Sequence, residues 1–417
     1  MLVDADFDVM IVGAGPAGST AAIMLAQAGW RVAVIEKQNF PRRKVCGECI
    51  APSNLPLLDA MGIGEAVRLL AGPPLRCIAL MVGDQTIHAD FPRYEGLHSW
   101  GVALGREYLD TLLLDQAKKL GVSVFQPWTA TKLQGDWHGH RCRVKKIHSH
   151  DTMVLAAPIL IDAHGSWEQS KISDGEQARR VREDDLLAFK ANFTQGGLDT
   201  GVLPVFAFPG GYGGMVVGDH ATTTLAFCIR RDRLTRCRRS SRAGMLAAEA
   251  ALNHVAGSCL GVHAMLKGAQ RNGTWLAAGP LRPGIHMGRQ APGVFVVGNA
   301  AGEAHPIIGE GMSMAFQSAA LLASMLAPHF AKRNDATFLH TLQRDYARAW
   351  RAHFVSRIRL AAVFAQVAMR PEWVGWILPL LKRYPQLLTQ AARWSDKVRD
   401  APTIASTMMS AVGDPIS

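Results

Sequence analysis

Nothing at the start of the chain marks it for export. No signal peptide precedes the first apolar run, and its seven cysteines follow no framework of a disulfide-stapled secreted domain. A reducing cytoplasm is the expected location. Cys46 and Cys49 stand as a single CxxC pair without the second ligand pair of a structural zinc site, so no metal is expected. The pair also lacks a thioredoxin-like setting. Acidic residues are in deficit: 34 Asp and Glu against 45 Lys and Arg leave a net charge of +11. Seven of the arginines fall between Arg230 and Arg242, and more basic residues lie between Lys332 and Arg399. The surplus suits an anionic membrane surface, an acidic carrier protein or a phosphorylated substrate, or is simply a solvated basic face. No recognisable nucleic-acid module accompanies it, so no nucleic-acid partner is expected. Gly311 to Ala331 carries no charge and is long enough to span a bilayer. Its Ser313, Gln317, Ser318, Ser324 and Pro328, and its start at a glycine-rich loop, read better as a buried helix.

The chain is organised around Phe7 to Glu36. An apolar strand (Val9, Ile11, Val12) meets Gly13-Ala14-Gly15-Pro16-Ala17-Gly18, then a helix, then a second strand, Val32 to Ile35, that ends at Glu36-Lys37. Gly13 permits the tight turn, Gly15 lets backbone approach a pyrophosphate, and Gly18 lets helix and strand pack closely. Pro16 and Ala17 open a helix whose free N–H groups and positive dipole end face the phosphates. Glu36 stands where a carboxylate accepts both adenosine ribose hydroxyls.

Asn39 to Cys49 is a loop rich in proline and basic residues, in which Gly47 allows backbone to approach a ligand. Pro56 to Leu70 reads as a helix interrupted near Gly62 and Gly64. Gly105-Arg106 opens a second clear helix, with Leu109, Leu112, Leu113 and Gln116 at helical spacing, and Val122 to Phe125 returns as a strand. Arg106 is placed to reach a cofactor phosphate, with a surface arginine as the plainer reading. Thr129 to Leu155 alternates short segments with turns, as an antiparallel meander, and its His138, His140, His148 and His150 read as solvated loop residues. Ile159 to Asp162 is a buried strand whose following turn, from Ala163, faces the cofactor.

From about Lys171 to Gly284 the pattern changes to Leu186–Phe193, Val202–Phe208, Gly214–Val217 and Thr222–Ile229, strands separated by glycine or charged turns. This is an inserted antiparallel sheet suited to form a substrate wall. Tyr212, among glycines, either reaches into a pocket or packs over its neighbours. Val294 to Val297 is then another buried strand. Gly298-Asn299 follows it, and Gly309-Glu310-Gly311-Met312 starts the long uncharged helix. Such a helix N-terminus would stabilise negative charge on a reduced flavin, and Asn299 could bond its ribityl chain. A fingerprint near residue 15 with this second loop near residue 300 selects FAD over NAD as the resident cofactor.

These residues resemble the FAD-dependent oxidoreductase superfamily of geranylgeranyl reductases, aromatic hydroxylases and flavin halogenases. Lys44-Val45-Cys46-Gly47 and the pairing of Gly298–Gly302 with Gly309–Gly311 look most like the geranylgeranyl reductase branch. The resemblance implies a cysteine loop near the isoalloxazine and Arg106 near the FAD phosphates. Some of the pattern differs. Gly-Asp appears as Gly298-Asn299, and the hydroxylases' Asp-Gly as His164-Gly165 with Lys171 for the trailing arginine. The reductases' Tyr-x-Trp-x-Phe-Pro survives only as Tyr212-Gly213-Gly214-Met215-Val216-Val217, which implies a differently shaped substrate. With no Trp-x-Trp-x-Ile-Pro stretch and no lysine between Lys44 and Lys118, a halogenase reading loses both its supports.

The expectation is an α/β protein: a Rossmann-like FAD-binding domain (1–172 and 285–330), an inserted antiparallel substrate sheet (173–284) and a C-terminal helical region (331–417). It is expected to reduce a double bond of a lipophilic, isoprenoid- or polyketide-like molecule, with NAD(P)H or a separate reductase as electron donor. Cys46 and Tyr212 are the catalytic candidates. A monooxygenase, suggested by His305-Pro306, and a non-catalytic flavin protein on a membrane or carrier protein are the alternatives. The amphipathic C-terminal segments, with Val363, Phe364, Trp373, Trp376, Ile377 and Leu378, lie on a membrane interface at its inner face or cover a lipophilic substrate tunnel, with a packed helical cap as the plainer reading.

Overall fold

A computed structural model describes residues 4–94, 99–165, 181–288 and 290–394. Lys171 lies outside them. At the centre is a five-stranded parallel sheet in the order Val294–Val296, Ile159–Asp162, Val9–Val12, Val32–Ile35, Ser123–Phe125. Strands covered on both faces need continuous apolar runs, and Val32–Ile35 is buried at every position. On one face the helices Pro16–Gln27, Arg106–Lys119 and Gly311–Leu326 build the largest core cluster. On the other lies the meander Trp128–Asp136, Gly139–Lys146, Thr152–Ala157, which closes over Met10, Ile35 and Leu160. His138, His148 and His150 are exposed on it, but His140 is buried at 2% exposure, contrary to the expectation of a solvated loop. Strand alternation turns its ring inward.

The second sheet has seven strands in the order Gln270–Ala278, Leu186–Thr194, Thr223–Arg230, Gly211–Val217, Val202–Phe208, Cys77–Val82, Gln85–Asp90. It is antiparallel apart from one pair, Val202–Phe208 with Cys77–Val82. The hairpin 77–90 therefore extends the inserted sheet, although it lies well before 173–284 in the chain. Short apolar strands do not state their sheet. Between Thr223–Arg230 and Gln270–Ala278, three helices (Arg231–Arg239, Ala247–Ser258, Leu260–Leu266) pack on one side of it.

The uncharged helix Gly311–Leu326 sits against Pro16–Gln27, and its apolar length is buried in the core at nearly every position. Outside it runs Ala336–Ala368, whose first turn is capped by Asp335, the carboxylate accepting from the N–H groups of Thr337 and Phe338 at 2.9 and 3.1 Å. Leu339, Leu342, Tyr346, Trp350, Phe354, Ile358 and Ala361 repeat every three or four residues on its buried face. The Tyr346 hydroxyl donates to the Val296 carbonyl at 3.0 Å, which ties this helix to the sheet.

Candidate functional site

One cavity of about 280 Å³ runs between the parallel sheet and the inserted sheet. Its first wall is the turn after Val9–Val12. Gly13 has a φ of +101°, and a Cβ there would stand 2.6 Å from the Ala163 carbonyl oxygen. At Gly18 a Cβ would collide with the Gly13 carbonyl. Both glycines let three backbone segments meet at the sheet's carboxyl end. Gly13, Gly15, Pro16, Ala17 and Ala163 line the cavity, whereas Gly18 is buried in the packing. The helix starts at Pro16, and Gly15 before it supplies no side-chain cap, so its first N–H groups are open to a ligand.

Two guanidiniums frame that opening. The nitrogens nearest to a Cβ on Gly15 belong to Arg42 and Arg106, each at 3.9 Å. Arg106 is buried and forms a bidentate pair with Asp110, both contacts 2.7 Å. Burial alone would lower its pKa; Asp110 and then the adjacent Cys46 sulfur outweigh that and raise it. Arg42 lies 3.6 Å from Asp110 and 3.8 Å from Glu36. Glu36 accepts from the Ala14 and Gln38 N–H groups at 2.9 and 2.8 Å. It lines the cavity with Lys37 and Trp128. Arg42 was not singled out in the sequence, because one arginine in a basic loop has no local signature.

The opposite wall begins at Gly298, with a φ of +60° and its N–H donating to Ser318 Oγ at 2.8 Å. Gly298, Asn299, Gly309, Gly311 and Met312 line the cavity. A Cβ on Gly311 or Gly47 would meet nothing within 4 Å. Glu310 behaves differently: it is fully buried, does not line the cavity, and has Arg357 at 3.8 Å. Two uncapped helix N-termini, two cations and a carboxylate around a glycine cradle fit an adenine dinucleotide diphosphate and an electron-rich ring. Gly13–Ala17, Arg42 and Arg106 would hold the diphosphate of FAD, and Glu36 the ribose.

Toward the inserted sheet the lining turns apolar, with Ala188, Leu203, Val205, Ala226 and Leu281, while Phe189, Met215 and Phe227 pack into the core on the sheet's other face. Cys46 stands between the two regions, its sulfur accepting from the Glu48 N–H at 3.3 Å. Tyr212 both lines the cavity and is 1% exposed, so packing and pocket readings hold together. Its hydroxyl lies 3.1 Å from His305 Nδ1. Burial, then Cys228 and Glu303, push the phenol well above its ordinary pKa. Burial takes the Cys228 thiol up to about 12 and brings the His305 imidazole down to about 4. All three groups are therefore neutral near pH 7.

A second polar cluster escaped the sequence reading. Glu48, at a φ of +61°, accepts from the Arg106 N–H at 2.9 Å and from Thr224 Oγ1 at 2.7 Å, and is ion-paired with fully buried Lys190. The Asp219 carboxylate accepts from the Gly105 N–H at 2.7 Å. Carboxylates from distant segments thus hold the start of the Arg106–Lys119 helix.

The profile of the family described as FAD binding domain matches residues 6–354. A tryptophan 2-halogenase of Chondromyces crocatus is 26% identical over 392 residues, 88% of this chain and 69% of its own length. A menaquinone reductase of Mycobacterium tuberculosis is 48% identical over 65 residues, only 16% of either chain. The crystal structure of a geranylgeranyl bacteriochlorophyll reductase-like protein of Thermoplasma acidophilum shares the fold: its TM-score is 0.73 at 17% identity, covering 98% of this chain and 100% of that one.

Proposed function

The chain belongs to the FAD-binding-domain family, and from that premise we propose that it is an FAD-dependent oxidoreductase that reduces a double bond of a lipophilic small molecule, isoprenoid- or polyketide-like. The observation carrying this reading is the change of character along one cavity: cations and helix N-termini at one end, Ala188, Leu203, Val205 and Leu281 at the other, and Cys46 between them. The strong local identity to a menaquinone reductase supports reduction. The halogenating relative does not supply a reaction here, because this chain lacks both the Trp-x-Trp-x-Ile-Pro stretch and a lysine between Lys44 and Lys118.

When bound, the flavin supplies hydride transfer. The chain's own residues orient, exclude water and handle protons. Arg42 and Arg106 neutralise the diphosphate, and the start of Gly311–Leu326 offers a positive dipole end. Cys46, in contact with Arg106, is the thiol that gives or takes a proton at Sγ. Tyr212 keeps its proton, and His305 Nδ1 orients the phenol. The electron donor is NAD(P)H or a separate reductase. The protein works in a reducing cytoplasm, with peripheral contact to a membrane or to an acidic carrier protein.

The test is reoxidation of the reduced holoprotein by polyprenyl quinones and unsaturated polyketides, with and without oxygen. Reduction predicts turnover that persists anaerobically, and that falls in Cys46→Ala while bound FAD is retained. Turnover seen only with oxygen makes the protein a monooxygenase, the second reading, which Pro306 in the cavity wall after His305 favours. Full turnover in Cys46→Ala removes the thiol from the mechanism.

A further inference from the structure

The helix Pro371–Arg383 presents two apolar faces, which a soluble cap helix does not need. Its inner face puts Val374 and Leu378 into the cluster that holds Tyr212, Cys228, Ala188 and Leu281, four residues that line the cavity. Its outer face carries Trp373, Trp376, Ile377 and Leu380, at positions i, i+3, i+4 and i+7, one stripe of an α-helix, and Tyr384 follows at its C-terminal cap. Trp376 is 87% exposed and the other four are 41–52% exposed. Leu387, on the next helix Gln386–Trp394, is 41% exposed.

Cations flank it. The Arg370 guanidinium lies 4.8 Å over the Trp373 ring at one end, and Lys382 and Arg383 are exposed at the other, with Glu372 the one acid on the helix. Lys382 also reaches Gln85. Indole and phenol rings favour the level of lipid headgroups, and cations beside them favour anionic lipid. The chain's net charge of +11 acts in the same direction.

We infer that this helix docks the protein on an anionic bilayer surface, with its outer stripe in the headgroup region and its inner side against the apolar end of the cavity. The inference rests on the lipophilic-substrate reading and names where that substrate is met: in the membrane, one helix away from the site.

The test uses FAD-loaded full-length protein floated with vesicles of phosphatidylcholine alone and of equal parts phosphatidylcholine and phosphatidylglycerol. Binding to the anionic vesicles, weakened by salt and accompanied by a blue shift of tryptophan emission, is expected. Trp376→Glu with Ile377→Glu is expected to lower it at least about tenfold, as loss of buried apolar side chains implies, with flavin content unchanged. Lys382→Glu with Arg383→Glu is expected to reduce binding to anionic vesicles selectively. The inference falls if anionic vesicles bind no protein, if the Trp376→Glu, Ile377→Glu protein binds equally well, or if light scattering finds a dimer that the same pair of changes dissolves. Bound flavin and anaerobic reoxidation are measured in the same preparations. In the parent protein, absent vesicle binding with intact turnover sinks the docking alone; vesicle binding without turnover sinks the proposed reduction alone.

Discussion

His305 shows how burial sets chemistry one side chain at a time. Its imidazole is held at about pKa 4 by desolvation, against 6.5 in a free histidine. Above pH 6.5 it is neutral in both folded and unfolded chains. As pH falls below that, the unfolded chain takes up a proton the folded one resists. The fold therefore loses stability down to about pH 4, by at most about 1.4 kcal/mol per pH unit. His140, whose pKa is also lowered by burial, acts in the same direction. His305→Gln keeps an acceptor for Tyr212 without the titration. Urea midpoints between pH 7 and 4.5 should fall less steeply in this variant than in the parent, and parallel curves would show that His305 does not titrate against the fold. Arg106 is the opposite case: a buried cation kept charged because Asp110 and Cys46 outweigh desolvation. The presence of an arginine at position 106 was legible, since it opens a periodic helix. Its partners were only half legible: Asp110 is one helical turn away, but Cys46 arrives from another segment.

Among the elements, the strand-turn-helix from Val9 to Gln27 is closely packed at its glycines. A methyl group at Gly18 would overlap the Gly13 carbonyl oxygen, which belongs to backbone and cannot swing aside. Gly18→Ala should destabilise by roughly 1–3 kcal/mol or more and release FAD on gel filtration. A variant that retains FAD and its melting temperature would mean that the turn relaxes. This element was readable because everything it needs lies within thirty residues: a continuous apolar run, glycine where no Cβ fits, proline at the first helical position. The helix Gly311–Leu326 was readable for a related reason, its serines and glutamine being wrong for lipid. The hairpin 77–90 was not assigned to its sheet, since the partner of Cys77–Val82 lies 125 residues further along, at Val202.

In the whole molecule, the loop after the glycine fingerprint and the inserted sheet are joined through a buried charge pair. Glu48 belongs to the loop beside the fingerprint and Lys190 to the inserted sheet, and both are almost completely removed from water. Breaking such a pair on one side strands a charge. Lys190→Met should cost about 3–5 kcal/mol, and Glu48→Gln added to it should restore part of the loss. Equal denaturant midpoints for parent and Lys190→Met would refute that. Glu107 responds to the same pair: burial raises its carboxyl pKa, Glu48 adds to this, and Lys190 and Arg43 oppose it.

The order of residues alone determined the parallel sheet's strands, the tight glycine turn of Gly13–Gly18 and the need for a large apolar core. Each follows from local sterics and from the period of apolar side chains, which act over a few residues. Tertiary structure alone decided which cations stand over Gly15, that Glu310 turns from the cavity, that Lys190 pairs with Glu48, and which stripe of Pro371–Arg383 stays bare. Those outcomes depend on side chains brought together across a hundred residues or more, where desolvation and Coulomb energy are set by neighbours that no local pattern names.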